Sequence, residues 1–294
     1  MFLQTLSDWL KTLPLYLLPH HLISRQVLKL TRRPSRFTLR AINTFIRLFN
    51  VDMNIAANPD PASYSTFNEF FTRELKPDAR PVATGADEIA SPADGTISAI
   101  GAIENNQLFQ AKGRYYSLDA LLASEPTLVS RFNNGGFTTI YLSPRDYHRL
   151  HMPLSGELLS QIHVPGKLFS VAPHTVRSIP NLFARNERVI ASFDTEFGLM
   201  SLILVGAINV AAIETVWHGL VTPPSTTTVN RWNYNDQASM SFSKGAEMGR
   251  FNMGSTIIVL MENQAQWRRD MKPGDSVKMG QFLGKVSSDP SSTV

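Results

Sequence analysis

The sequence predicts an α+β protein, in which N-terminal amphipathic helices are followed by a β-rich domain of short, mostly antiparallel strands. Prolines cut the first fifty residues into three pieces, each with helical periodicity. From about residue 88 onward, short apolar runs alternate with Gly, Pro, Asn and Asp, the pattern of strands joined by turns. The 294 residues, 43% hydrophobic and 18% charged, are enough for one large domain or two modest ones with a packed core.

The helical pieces are expected at roughly 2–13, 20–33 and 35–49, broken at Pro14, Pro19 and Pro34. In the third, Leu39, Ile42, Phe45, Ile46 and Phe49 form an apolar stripe, with Arg36, Arg40 and Arg47 toward the other side. Between Lys11 and Arg47 the chain carries eight basic residues (Lys11, Arg25, Lys29, Arg32, Arg33, Arg36, Arg40, Arg47) and no acidic one, within a net charge of +4. Two readings fit: core-facing helices with solvated arginines, or an interfacial anchor whose cations meet an anionic leaflet. No stretch reaches the roughly 18–20 uninterrupted apolar residues of a spanning helix. The longest apolar run, Met200 to Ile213, reads as a buried strand with a close-packed Gly206. Phe2 to Leu18 holds Asp8, Lys11 and Pro14, and does not have the pattern of a cleavable signal.

NPDPAS (58–63) reads as a turn or linker, and FNEFFTRELKP (67–77) as a compact helix ended by Pro77. The strand-like runs that follow are DGTISAIGAI, NNGGFTTIYL, SGELLSQIHV, ERVIASFDT, LMSLILVGAI, GSTIIVLME and DSVKMGQFLGKV. No internal repeat interrupts them.

The absence of cysteine excludes disulfides, a thiol nucleophile and cysteine metal sites. Chemistry must come from other groups, and three segments offer it. At Gly254-Ser255 a hydroxyl stands beside a carbonyl that glycine leaves open, as an N→O acyl shift requires. The same residues also suit an ordinary glycine turn entering a strand. In LSPRDYHRLHMP, Ser143 as N-cap and Pro144 as first helical residue predict about two turns of helix over 144–151, with His148 and His151 on one face. Such a pair serves as proton-transfer groups, as two metal ligands needing a third from His163, His174 or an acid, or as structural histidines. In SPADGTISAI, Asp94 is a candidate orienting carboxylate, although Asp-Gly is most simply a hairpin turn.

Taken together and in order, SPADGTI (91–97), YLSPRDYHRLHMP (141–153) and KGAEMGRFNMGST (244–256) resemble the phosphatidylserine decarboxylases of bacterial type. FNEFFTRELKP and RNERV (185–189) fit the same family, and the resemblance runs from about residue 65 to 285. One departure is Met253, where the family commonly has leucine; methionine is a near-isosteric apolar swap.

The resemblance implies a proenzyme. Asp94 orients His151, His151 activates Ser255, and Ser255 attacks the Gly254 carbonyl. Cleavage then gives a large β subunit, 1–254, and a small α subunit, 255–294, headed by a covalent pyruvoyl group derived from Ser255. That ketone forms a Schiff base with the amine of phosphatidylserine, and loss of CO2 yields phosphatidylethanolamine, with His148 as candidate proton donor. No metal is implied. The implied partners are phosphatidylserine, an anionic phospholipid membrane, the two fragments for each other and a homodimer mate, with no nucleic acid, since the basic residues lack a binding module. Residues 1–50 then form a helical membrane-association region at the cytoplasmic face of the cell membrane, and 51–294 the β-rich catalytic domain.

Three rival readings use the same residues. One is a pyruvoyl-dependent decarboxylase of a soluble amino acid, which needs no anchor. Another is a non-enzymatic biotinyl or lipoyl carrier, with Lys278-Met279 in DSVKMGQFLGKV (275–286) as acceptor hairpin. The last is a metal hydrolase built on His148 and His151.

Overall fold

The structure, a computed structural model, describes residues 7–8, 11–111, 113–208, 212–223, 227–235, 239–252 and 255–286. Residues 11–12 are helical and run into a 3-10 turn, Leu13–Tyr16, opened by Pro14. After Pro19 comes α1 (His20–Thr31). Then α2 (Thr38–Phe49) begins three residues later than expected, because Thr38 N–H closes a turn on the Ser35 carbonyl at 2.9 Å. It ends at Asn50, whose φ of 53° is a left-handed cap. Ile42 of α2 is fully buried, and Phe45, Ile46 and Phe49 pack beside Phe70 and Phe71. Leu39, expected in the same stripe, is 43% exposed.

Phe70 and Phe71 belong to α3 (Phe67–Phe71), which starts in a capping box: Glu69 N–H donates to Thr66 Oγ1 and Thr66 N–H to Glu69 Oε2. The helix expected over 67–77 stops at Thr72, well before Pro77. The chain beyond it pairs with a distant segment, Ala57 N–H donating to Glu74 and Lys76 N–H to Ile55, both at 2.9 Å. Tertiary hydrogen bonds there replace the helical ones. Four further short helices, α4 (Leu118–Leu121), α5 (Pro126–Phe132), α6 (Pro173–Ser178) and α7 (Leu182–Arg185), lie between strands.

The strands are, in chain order, β1 (Glu88–Ala90), β2 (Gly95–Ala102), β3 (Gln107–Ala111), β4 (Arg114–Ser117), β5 (Gly136–Tyr141), β6 (Arg149–His151), β7 (Gly156–Val164), β8 (Arg188–Thr195) and β9 (Gly198–Val205). There follow β10 (Ile213–Thr215), β11 (Gly219–Leu220), β12 (Asn230–Asn233), β13 (Ser241–Phe242), β14 (Glu247–Phe251), β15 (Thr256–Met261), β16 (Ala265–Trp267), β17 (Ser276–Val277) and β18 (Phe282–Val286). The main sheet runs β12-β7-β8-β9-β15-β5-β2-β17, with β13 also on β7. A second sheet is β11-β10-β14-β6, a third is β1-β18-β16, and β3 pairs with β4. The ladders between these strands are antiparallel, so the α+β expectation holds.

Two local expectations change. Asp94-Gly95 does not form a hairpin turn: β1 before it and β2 after it lie in different sheets. The glycine is needed for close approach, since a Cβ at Gly95 would lie 2.4 Å from the Tyr141 carbonyl oxygen. Residues 275–286 do not form a hairpin either, because β17 pairs with β2 while β18 pairs with β1 and β16. The carrier-like shape suggested by that segment is therefore absent.

At the centre of the main sheet, β15 lies between β9 and β5 with all six residues buried. Ile257, Ile258, Val259, Leu260 and Met261 are fully buried, each contributing about 2 kcal/mol. The expected buried strand at Met200 is its neighbour β9. The backbone then packs at Gly206, whose N–H donates to the Glu187 carbonyl at 2.8 Å.

Candidate active site

Ser255 immediately precedes β15. Its carbonyl accepts from Leu142 N–H at 2.8 Å, which ties it to the end of β5, and its hydroxyl is buried with no hydrogen-bond partner among the described residues. A buried unpaired hydroxyl costs about 1–3 kcal/mol, so its retention calls for a reason. Gly254 and Met253 fall outside the described residues. The chain on either side brackets them: Leu142 meets Ser255, and Phe251 N–H donates to the His148 carbonyl at 3.0 Å. The segment 143–147 thus joins Leu142, held at Ser255, to His148, held at Phe251.

That segment is not the expected helix over 144–151. Asp146 N–H donates to the Ser143 carbonyl at 2.9 Å, while the Asp146 carboxylate accepts from Ser143 N–H and Oγ, both at 2.7 Å. One turn is closed by these bonds, and the chain then enters β6. The helix is lost to long-range bonds: β6 pairs with β14, and His151 N–H donates to the Pro92 carbonyl at 2.9 Å. His148 and His151 therefore do not share a helical face, and their surroundings differ.

His148 is fully buried, with its ring against Phe71 at 4.1 Å between centroids. Its Nδ1–H donates to the Asp146 carbonyl at 2.8 Å, which leaves Nε2 as a bare lone pair, buried and without a partner. Burial pushes its pKa down to about 3, Arg73 adds to this, and the Asp146 carbonyl and Asp94 charge oppose it. His151 is held at both nitrogens: Nδ1–H donates to the Gly245 carbonyl at 2.8 Å, and Nε2 accepts from the Tyr147 hydroxyl at 3.0 Å. Gly245 sits at φ +81°, a conformation glycine adopts readily. Burial lowers the His151 pKa, opposed by the Gly245 carbonyl and by Glu247.

Asp94 is 2% exposed. Its carboxylate accepts from Arg80 Nε at 2.7 Å and from Arg80 Nη2, from Met279 N–H at 2.9 Å and from Lys278 Nζ at 3.3 Å. Burial works against its charge, but Arg80, Met279 and Lys278 hold the pKa below the ordinary carboxylate value. Among the described residues no hydrogen bond joins Asp94 to His151 or either to Ser255. The Asp94 charge nevertheless favours the protonated form of both histidines.

Sequence reading missed several neighbours. Asn252 is fully buried; its N–H and its side-chain amide donate to the Ala212 carbonyl, and Arg32, just beyond α1, donates to its Oδ1 at 3.3 Å. Arg32 also pairs with Glu214. Arg149 bridges Glu74 and Glu247, each at 2.9 Å. Beside the site lies an apolar cavity of about 250 Å³, walled in part by Phe45, Phe49, Phe71, Leu142, Pro144 and Ala207. It connects the amphipathic α2 to the residues that touch His148 and Ser255. Among the described residues no group of three or more His, Asp or Glu side chains is placed to hold a metal ion.

Comparison with known proteins gives a consistent result. A family model described as phosphatidylserine decarboxylase matches residues 67–285, and a second, described as PSD, matches residues 10–50. The phosphatidylserine decarboxylase proenzyme of Alkalilimnicola ehrlichii is 54% identical over 258 residues, covering 87% of this chain and 90% of the relative. That of Methylococcus capsulatus is 53% identical over 271 residues, covering 92% and 94%. That of Azotobacter vinelandii is 47% identical over 286 residues, covering 96% and 100%.

Proposed function

Because the chain belongs to the phosphatidylserine decarboxylase family, we propose that it is made as a proenzyme, cuts itself between Gly254 and Ser255, and then converts phosphatidylserine to phosphatidylethanolamine and CO2. The observation that carries this reading is the buried, unpartnered Ser255 hydroxyl at the head of the central strand, beside a turn that buries an unpartnered imidazole nitrogen on His148.

In maturation, Ser255 Oγ attacks the Gly254 carbonyl carbon, and the peptide bond becomes an ester as the serine proton passes through a base to the amide nitrogen. Loss of the Ser255 α-proton breaks the Cβ–Oγ bond and releases Gly254 as a new carboxylate. Water then displaces the nitrogen as ammonia, leaving a ketone at residue 255. His151 is the base in this scheme, and Asp94 serves it by charge, without a direct hydrogen bond. The Tyr147 hydroxyl donates to His151 Nε2. Burial raises the Tyr147 pKa, so it stays a hydroxyl donor.

The Ser255 position suits a pyruvoyl group, since losing an orphan hydroxyl with Gly254 breaks no side-chain hydrogen bond of the fold. The pyruvoyl carbonyl would supply an electron sink for the pair released on loss of CO2. The protein's own part falls to His148. Burial keeps its imidazole neutral. A substrate carboxylate nearby favours its protonated form. When that carboxylate leaves as neutral CO2, the imidazolium loses its partner, becomes a strong acid and delivers its proton to the substrate α-carbon.

The helical start is proposed to dock on the cytoplasmic leaflet. Among the described residues no helix is long and apolar enough to cross a membrane. Leu17, Leu22, Leu30 and Leu48 are 58–87% exposed, and these apolar side chains share the segment with the acid-free basic run. The wall contributed by α2 to the apolar cavity favours a lipid over a soluble amino acid. Activity assays with phosphatidylserine and with free serine, alongside Ser255→Ala, test the reading; decarboxylation of serine alone would favour the soluble-substrate rival.

A further inference from the structure

A second cavity, of about 270 Å³, lies on the Asp94 side of the histidine turn and is walled by Arg73, Arg80, Asp94, Arg145, Asp146 and Tyr147, among others. Its charges are unequally satisfied. Asp94 is matched by Arg80 and Lys278, and Asp146 is spent on Ser143. Asp52, also at this cavity, accepts from Asn54 N–H at 2.9 Å. Arg73 is different. It is 3% exposed, its Nε is buried without a partner among the described residues, and its one side-chain hydrogen bond there is a long 3.5 Å contact from Nη2 to the Arg145 carbonyl. Burial lowers its pKa, and Tyr64, Asp94, Tyr147 and Asp146 oppose this through charge alone, with no hydrogen bond.

The fold shows what a purely structural buried arginine looks like. Arg188, 2% exposed, gives its guanidinium to the carbonyls of Leu121, Ala184, Asn186 and Ala120 at 2.6–3.0 Å. Arg73 has no such set, yet faces an open cavity. A buried guanidinium with free donors is costly unless an anion completes it. Arg145, exposed at the rim, adds a second cation, and Asn50 at the end of the amphipathic α2 forms part of the wall.

We propose that this cavity is an anion site, with Arg73 at its floor and Arg145 at its mouth, which takes the phosphodiester of a glycerophospholipid headgroup. The proposal rests on the reading of this chain as a decarboxylase of a membrane lipid. The planar guanidinium fork matches two phosphate oxygens, and the end of α2 is where a docked helix meets the headgroup layer. The phosphate belongs either to the substrate or to a neighbouring anionic lipid.

The test uses the full chain after self-cleavage, with Arg73→Lys, Arg145→Ala and, as control, the exposed Arg269→Ala. For a short-chain, monomeric phosphatidylserine, the first two variants are expected to raise KM by about tenfold with kcat within about twofold. Dimethyl phosphate should compete with substrate in the parent and more weakly in the variants. If a neighbouring lipid supplies the phosphate, KM for monomeric substrate stays put, and the variants instead lose stimulation by phosphatidylglycerol vesicles. Cleaved, folded variants with unchanged KM and unchanged vesicle stimulation would overturn the proposal. Should Arg73→Lys fail to fold, Arg145→Ala at the surface carries the same test. A parent that neither cuts itself nor decarboxylates the lipid indicts the functional reading instead.

Discussion

The backbone N–H of Met279 donates to the Asp94 carboxylate at 2.9 Å, joining residues on opposite sides of the proposed cut. Asp94 also carries Arg80, so its removal strands a part-buried guanidinium. Asp94→Asn should lose about 3 kcal/mol of stability and stop self-cleavage. Adding Arg80→Gln should recover much of the stability without restoring cleavage, because the charge acting on His151 is still missing. Urea melts and a denaturing gel separate the two effects; recovery of cleavage in the double variant would show that Asp94 acts only through the fold.

The two fragments should stay together after cleavage. In the small one, β15 lies between β9 and β5 of the large one, with five fully buried apolar side chains. Size exclusion of the cleaved protein should give one species that separates only in denaturant. Release of the small fragment in native buffer would contradict the central placement of β15.

His148 should report its burial in the pH dependence of stability. Its folded pKa of about 3 lies below the ordinary 6.5. As pH falls through that window the unfolded chain takes up the proton and the folded chain does not. Stability is therefore lost toward acid by up to about 1.4 kcal/mol per pH unit, and nothing is lost above the window. His148→Gln should flatten the acid side of the curve measured by urea unfolding. Activity in this variant should drop about 10²–10⁴-fold while cleavage persists. Parallel stability curves would show that the imidazole is not buried neutral.

The sequence disclosed the α+β class, the helical start and the strand after Ser255, because each rests on local periodicity or proline placement. It misplaced the helix at 144–151 because Ser143-Pro144 does start a turn, while the fate of Arg149–His151 is decided by β14, about a hundred residues away in the chain. The surroundings of Asp94 were hidden for the same reason: Met279 and Lys278 meet it through sheet packing, with no local signal. Phe71, Asn252 and Tyr147 become visible as site neighbours only through packing. The histidine pair and the serine stood out in the sequence only as segments which, taken in order with SPADGTI, resemble the family; each alone is a weak signal.

Membrane docking should depend on the exposed leucines and not on the cleavage machinery. Replacing Leu17, Leu22 and Leu48 together by glutamate should reduce affinity for anionic vesicles by more than about tenfold and spare self-cleavage. Sedimentation with phosphatidylglycerol vesicles measures the first, and a denaturing gel the second. Unchanged sedimentation would place the docking face elsewhere. Deleting residues 1–50 outright is a poorer test, since it uncovers Phe71 and removes Arg32 from Asn252.

The central claim is that position 255 begins as a serine and ends as a ketone made by the chain itself. Intact mass measurement of the denatured protein tests it most directly. The account predicts two chains, 1–254 and 255–294, the smaller carrying a carbonyl in place of its amine, and a single uncut chain for Ser255→Ala. That variant should be as stable as the uncut parent or more so, since the hydroxyl it lacks has no partner. A single uncut chain of 294 residues that still decarboxylates phosphatidylserine would contradict it.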